Sequence, residues 1–133
     1  MRLFHVVVIV GLAAGMGNSF YAHSEEATVY SVFRGLDLGN PGETPQKDYY
    51  VSVGTSAGVQ EGTVLEVLRK NSTYDALTEK LYRDVTFPVA TLKVIHAESH
   101  VAIARLEKMI PQDKTPVISP VAVMLGDIVR IAR

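Results

Sequence analysis

Two runs of alternating apolar and polar residues, FPVATLKVIHA (87–97) and HVAIARLEK (100–108), flank the short segment AESH. Successive side chains of a strand point to opposite faces, so Ala90, Leu92 and Val94 share one face while Thr91 and Lys93 share the other. In the second run Arg105 and Glu107 face outward. Two such runs joined by so short a polar segment predict an antiparallel hairpin. A parallel pair would need a crossover of roughly a dozen residues or more.

The rest of the chain from residue 27 onward has the same character. ATVYSVFRG (27–35) and YYVSV (49–53) are rich in β-branched and aromatic residues and read as strands. Between them GLDLGNPGETPQKD (35–48) concentrates Gly and Pro and reads as a surface loop. TVLEVLRK (63–70) reads as a further strand. Its two faces do not separate, which predicts cover on much of both sides. IPQDKTPVISP (110–120), with its prolines, reads as extended but irregular, and LGDIVRIAR (125–133) as a Gly-Asp turn feeding a last strand. In NSTYDALTEKLYRD (71–84), Tyr74, Leu77 and Leu81 recur at i, i+3 and i+7, Ser72 and Asp75 resemble a capping box, and Glu79 and Arg83 are four apart. That spacing predicts one short helix. Strands that cluster without strand–helix alternation favour an antiparallel sheet, and closure into a small barrel removes exposed edges. The expectation is therefore an all-β domain over 27–133, a small antiparallel barrel of five or six strands with one short helical insertion.

The first 22 residues, MRLFHVVVIVGLAAGMGNSFYA, have a different composition. A basic residue, an apolar run from Leu3 to Met16 and then small residues form the three-part layout of a secretory signal peptide. The run falls short of the ~20 residues a membrane-spanning helix needs. Cleavage is expected near 19–22, with an uncleaved anchor as the alternative. The expected location is a bacterial periplasm or the outside, with no stable membrane span after cleavage.

The whole chain has 13 basic and 14 acidic residues, and no Cys. Without a basic excess there is no clustered charge to hold nucleic acid, so no nucleic-acid partner is expected. Without Cys, disulfides, thiolate catalysis and Cys-type zinc sites are excluded. No cofactor is expected.

VSVGTSAGVQEGTVLEV (51–67) carries three glycines four residues apart. A phosphate loop needs a Lys after its last Gly, and a dinucleotide loop needs closer glycines opening a helix. Neither is present. Gly54, Gly58 and Gly62 are instead expected as a structural turn between strands, with Gly58 and Gly62 at positive φ and Val59 plugging a barrel end. Residues 54–58 also spell G-x-S-x-G around Ser56. A nucleophile elbow joins a strand to a helix in a large α/β sheet, a context this short β-rich chain does not offer, so no catalytic residue is assigned. His96, Glu98 and His100 would share a face of a continuous strand and could ligate zinc, but a turn there scatters them. They stand as metal-ligand candidates only. Tyr49, Tyr50, Tyr74 and Tyr82 are candidates for an interface, being apolar with a polar tip.

The order of these segments has a counterpart. YYVSVGTSAGVQEGTVLEVLRK, then VATLKVIHAESHVAIARLEK, then VMLGDIVR, resembles the small SH3-like β-barrel at the C-terminus of flagellar assembly protein T and related envelope proteins, over residues 49–131. The resemblance implies a periplasmic assembly or interaction module whose partners are other cell-envelope proteins, as at a surface machine such as a flagellum. It carries over no catalytic residue. The competing expectations are a small periplasmic metal-binding protein built on His96, Glu98 and His100, and a glycan- or peptidoglycan-binding module using its tyrosines.

Overall fold

The computed structural model describes residues 26–117 and 122–133, apart from the side chains of residues 83 and 84. The expected signal peptide lies outside the described residues. Six strands form one antiparallel sheet: β1 (Val29–Arg34), β2 (Lys47–Val51), β3 (Val64–Asp75), β4 (Lys80–Ala97), β5 (Ala102–Met109) and β6 (Ile128–Ile131). Their order across the sheet is β1-β2-β5-β4-β3-β6. No helix among the described residues is long and apolar enough to cross a membrane.

The alternating runs form β4 and β5, paired from Ala90↔Met109 to Ala97↔Ala102. Ala90, Leu92 and Val94 turn inward, as their spacing requires, and meet Val29, Val51, Leu65, Val67, Ala104 and Val129 in one core. Burying a side chain of this size stabilises by about 1.5–3 kcal/mol. In β3 the register shifts between Val67 and Leu68, a bulge that lets two consecutive residues both turn inward. That is why the faces of TVLEVLRK do not separate in the sequence.

The outer strands β1 and β6 meet over a short seam. Thr28 bridges Ile128, Val29 N donates to Asp127 O at 2.9 Å, and Val129 N donates to Ala27 O at 2.9 Å. The sheet curls to join its edges there and stays open along the rest of its length. A side-chain contact reinforces the seam. The Arg69 guanidinium donates from Nε to Asp127 Oδ1 at 2.9 Å and from Nη2 to Asp127 Oδ2 at 2.8 Å, and Nη2 also donates to the carbonyl of Ala122 at 2.7 Å. Asp127 is only 4% exposed and Arg69 13%. Asp127 Oδ2 also accepts from the Met124 amide at 2.8 Å. One buried carboxylate thus ties the 122–127 turn to β3 and to the start of β6.

The expected helix over 71–84 is corrected. Those residues extend β3 and β4 into a two-stranded arm, with Thr73↔Tyr82, Tyr74↔Leu81 and Asp75↔Lys80 in register and a tight turn between them. The two strands continue their ladder outward through one register shift between Asn71 and Thr73, whereas a helix would have to break both strands. The turn is held by an Asp rather than by a helix cap. Asp75 Oδ1 accepts from the Leu77 amide at 3.0 Å and Oδ2 from the Thr78 hydroxyl at 2.7 Å. Glu79 takes the left-handed conformation, φ 53°. The i, i+3, i+7 spacing is thereby dissolved: Tyr74 and Leu81 are cross-strand neighbours, and Leu77 stands at the tip.

Candidate functional site

At the end of the barrel away from the arm, the glycine-spaced segment packs against the β4–β5 hairpin. Gly54 is extended, with φ −149°, so no turn requires a glycine there. Space does: a Cβ would collide with the carbonyl oxygen of Glu98 and lie 2.9 Å from the His100 amide nitrogen. The Thr55 and Ser56 amides donate to the carbonyls of Glu98 and Ser99 at 2.8 and 3.0 Å. Gly58 and Gly62 take φ 86° and 88° with nothing near the missing Cβ, so conformation alone selects glycine at both. Val59 between them is fully buried in the core. The Gly62 amide donates to the carbonyl of Val94 at 2.8 Å.

This segment also places Ser56 beside a histidine, with Oγ 3.3 Å from His100 Nδ1. A Ser–His pair invites comparison with a hydrolase, whose further parts the neighbouring groups do not supply. A catalytic imidazole is oriented by a third group, but Glu98 pairs with His96 Nε2 at 2.8 Å instead. An oxyanion needs free amide donors, and the amides of Thr55, Ser56 and Ala57 are all engaged with carbonyls.

The hairpin turn brings two of the metal-ligand candidates together and directs the third elsewhere. His96, one residue before the end of β4, pairs with Glu98, both well exposed, while His100 turns to Ser56. Among the described residues no three acidic or His side chains are grouped to hold a metal ion.

The four tyrosines have different environments. Tyr49 is 4% exposed and part of the core, and burial pushes its phenol pKa up. Tyr50 faces outward, edge-on to Phe33 at 4.9 Å and to Tyr30 at 6.2 Å between ring centroids. Tyr74 and Tyr82 stand on the arm. Tyr74 is 62% exposed, and the Lys80 ammonium lies 5.3 Å from the Tyr82 ring centroid. Pairing Tyr74 with Leu81 and Tyr82 with Thr73 places the two tyrosines on opposite faces of the arm.

The arm carries a concentration of exposed apolar side chains. Tyr74, Leu77, Leu81, Tyr82 and Val85 are all exposed large hydrophobics, Leu77 at 96%. β6 covers β3 only along Leu65–Leu68, and β5 covers β4 only along Ala90–Ala97. Beyond those limits the two arm strands pair, among the described strands, with each other. The sequence reading missed the arm. The available signal was the β-propensity of STY and of VTF at its base, which outweighs three apolar residues at helical spacing.

No family model matches this chain, and neither a characterised protein nor a solved structure is similar to it.

Proposed function

We propose that this chain is an exported, non-catalytic interaction module of the bacterial cell envelope that docks on other envelope proteins through the β3–β4 arm. The observation that carries this reading is the arm itself. Five exposed large apolar side chains stand on a hairpin whose outer edges pair with no other described strand. Large apolar side chains exposed on both faces and at the tip of one projecting hairpin give a partner apolar surface to bury, and strand edges left unpaired accept an added strand. The compartment and the type of partner in this reading rest on the expected signal segment and on the resemblance to an envelope barrel.

The test replaces 72–84 with Asn-Gly between Asn71 and Val85, which face each other across the hairpin. Tagged wild-type and armless proteins are used to capture envelope partners after cross-linking, with circular dichroism confirming that the barrel remains folded. Partners recovered by the wild type and lost from the folded armless form support the proposal. Recovery of the same set by both forms sinks it.

A further inference from the structure

A groove of about 310 Å³ opens at the end of the barrel from which the arm leaves, between β2, β5 and the segment leading to β6. Leu106, Met109 and Val123 give it apolar walls, and Lys47 and Arg105 stand on its rim. Tyr49 lines it from inside the core.

Three features make this a site and not merely a dent. Tyr49 is more than nine-tenths buried, yet no described residue hydrogen-bonds its hydroxyl. Among the described residues no fully buried polar side-chain atom lacks a partner, so the Tyr49 hydroxyl must reach the groove. A donor held at the end of a buried ring has lost little rotamer freedom left to lose on binding. Second, the rim is cationic. Lys47 has no ion-pair partner among the described residues, and Arg105 engages Asp48 through Nε at 2.8 Å. Third, the groove holds about ten water-sized groups, and mouths of β-barrels are places where small ligands bind.

We infer that the groove binds a small anionic amphiphile, an alkyl or aryl carboxylate of about ten non-hydrogen atoms, whose apolar body lies against Leu106, Met109 and Val123 while its carboxylate accepts from the Tyr49 hydroxyl and pairs with Lys47. A carboxylate fits better than a neutral head group because the Tyr49 hydroxyl can donate to it and the rim carries two cations, of which Lys47 has no ion-pair partner among the described residues. This binding is independent of the arm, so either proposal can fail without the other.

The test is a nuclear magnetic resonance titration of the 133-residue chain with octanoate, and with octanol and acetate as controls. Octanoate is expected to shift amides of residues 44–49 and 105–109 saturably, with a Kd of about 1 mM, as a ligand of this size allows. Octanol and acetate are each expected to bind at least about tenfold more weakly, as is octanoate to Tyr49→Phe, which keeps the ring and removes the donor. Lys47→Gln alters only an exposed side chain and is expected to weaken octanoate about threefold. It carries the test should Tyr49→Phe fail to fold. Equal binding of octanoate and octanol, or unchanged affinity in the folded variants, overturns the inference. Tighter binding of N-acetyl-Leu-Leu than of octanoate overturns the free amphiphile in favour of a peptide terminus.

Discussion

The two ends of this barrel are closed by different means. At the glycine end, Gly54–Gly62 lies against the 98–100 turn through main-chain contacts so close that one position tolerates no Cβ. At the arm end, the main-chain seam between β1 and β6 is reinforced by one buried ion pair between residues 58 apart in the chain, Arg69 and Asp127, and beside it the structure opens into a groove and projects an apolar hairpin. Main-chain closure leaves few groups for a partner. A groove and a projecting arm leave many. On the proposed function, the difference gives structure to one end and recognition to the other.

The largest effect is expected where the arm end is held together. Asp127→Ala removes the acceptor of three hydrogen bonds and leaves the Arg69 guanidinium largely buried without its carboxylate. Breaking such a pair costs about 4 kcal/mol. Urea unfolding followed by tryptophan-free far-ultraviolet circular dichroism measures it. A loss below about 1 kcal/mol, the scale of a surface pair, would show that the seam does not depend on this contact.

The matching change at the other end separates two reasons for a glycine. Gly54→Ala forces a methyl group into the Glu98 carbonyl and is expected to cost about 3 kcal/mol, since backbone on both sides must move. Gly58→Ala meets no atom and bears only the left-handed conformation, about 1 kcal/mol. Equal losses at the two positions in the same unfolding experiment would mean that close packing is not what closes this end.

These positions also mark how far sequence reading reaches. Ala90, Leu92 and Val94 face the core because strand periodicity is local, and it was legible in a few residues. Gly58 and Gly62 were legible as turns for the same reason. Gly54 was legible only as one more glycine, because its requirement comes from a carbonyl 44 residues away, and only the fold brings the two together. The Arg69–Asp127 pair, the seam and the groove over Tyr49 are likewise non-local and leave no periodic trace. The arm failed for a different reason. Tyr74, Leu77 and Leu81 match helical spacing, but no face of a helix is buried there, so the spacing had no packing to serve and the strands on either side prevailed. Among the Tyr candidates, nothing in the sequence separates Tyr49, in the core, from its neighbour Tyr50, which faces out. Only the register of β2 does.

If the arm is for recognition and not for stability, changes at its tip leave the fold alone. Leu77→Ser exchanges a 96% exposed side chain for a smaller polar one and is expected to alter unfolding free energy by less than about 0.5 kcal/mol. The same substitution is expected to lower capture of envelope partners. A cooperative loss of stability would instead place the arm within the folding unit of the barrel.

The smallest effect concerns the turn that shapes the arm. The Thr78 hydroxyl, and after it the Leu77 amide, hold the Asp75 carboxyl below the usual aspartate value of 3.8. Both favour the ionised form by hydrogen bonding to it. A pKa that is lower folded than unfolded contributes stability that is present above 3.8 and lost as pH falls through the folded value. The turn should therefore be fully formed at neutral pH and loosen only in strong acid. A carboxyl-detected titration of Asp75 is expected to show a midpoint below 3.8, and Thr78→Val to move it upward by removing the hydroxyl donor. Because Asp75 lies on the arm and outside the core, amide exchange in β2, β5 and β6 should not change over the same pH interval. Coupled changes in those strands would show that the arm and the barrel behave as one unit, and the contrast between the two ends would then lose its physical basis.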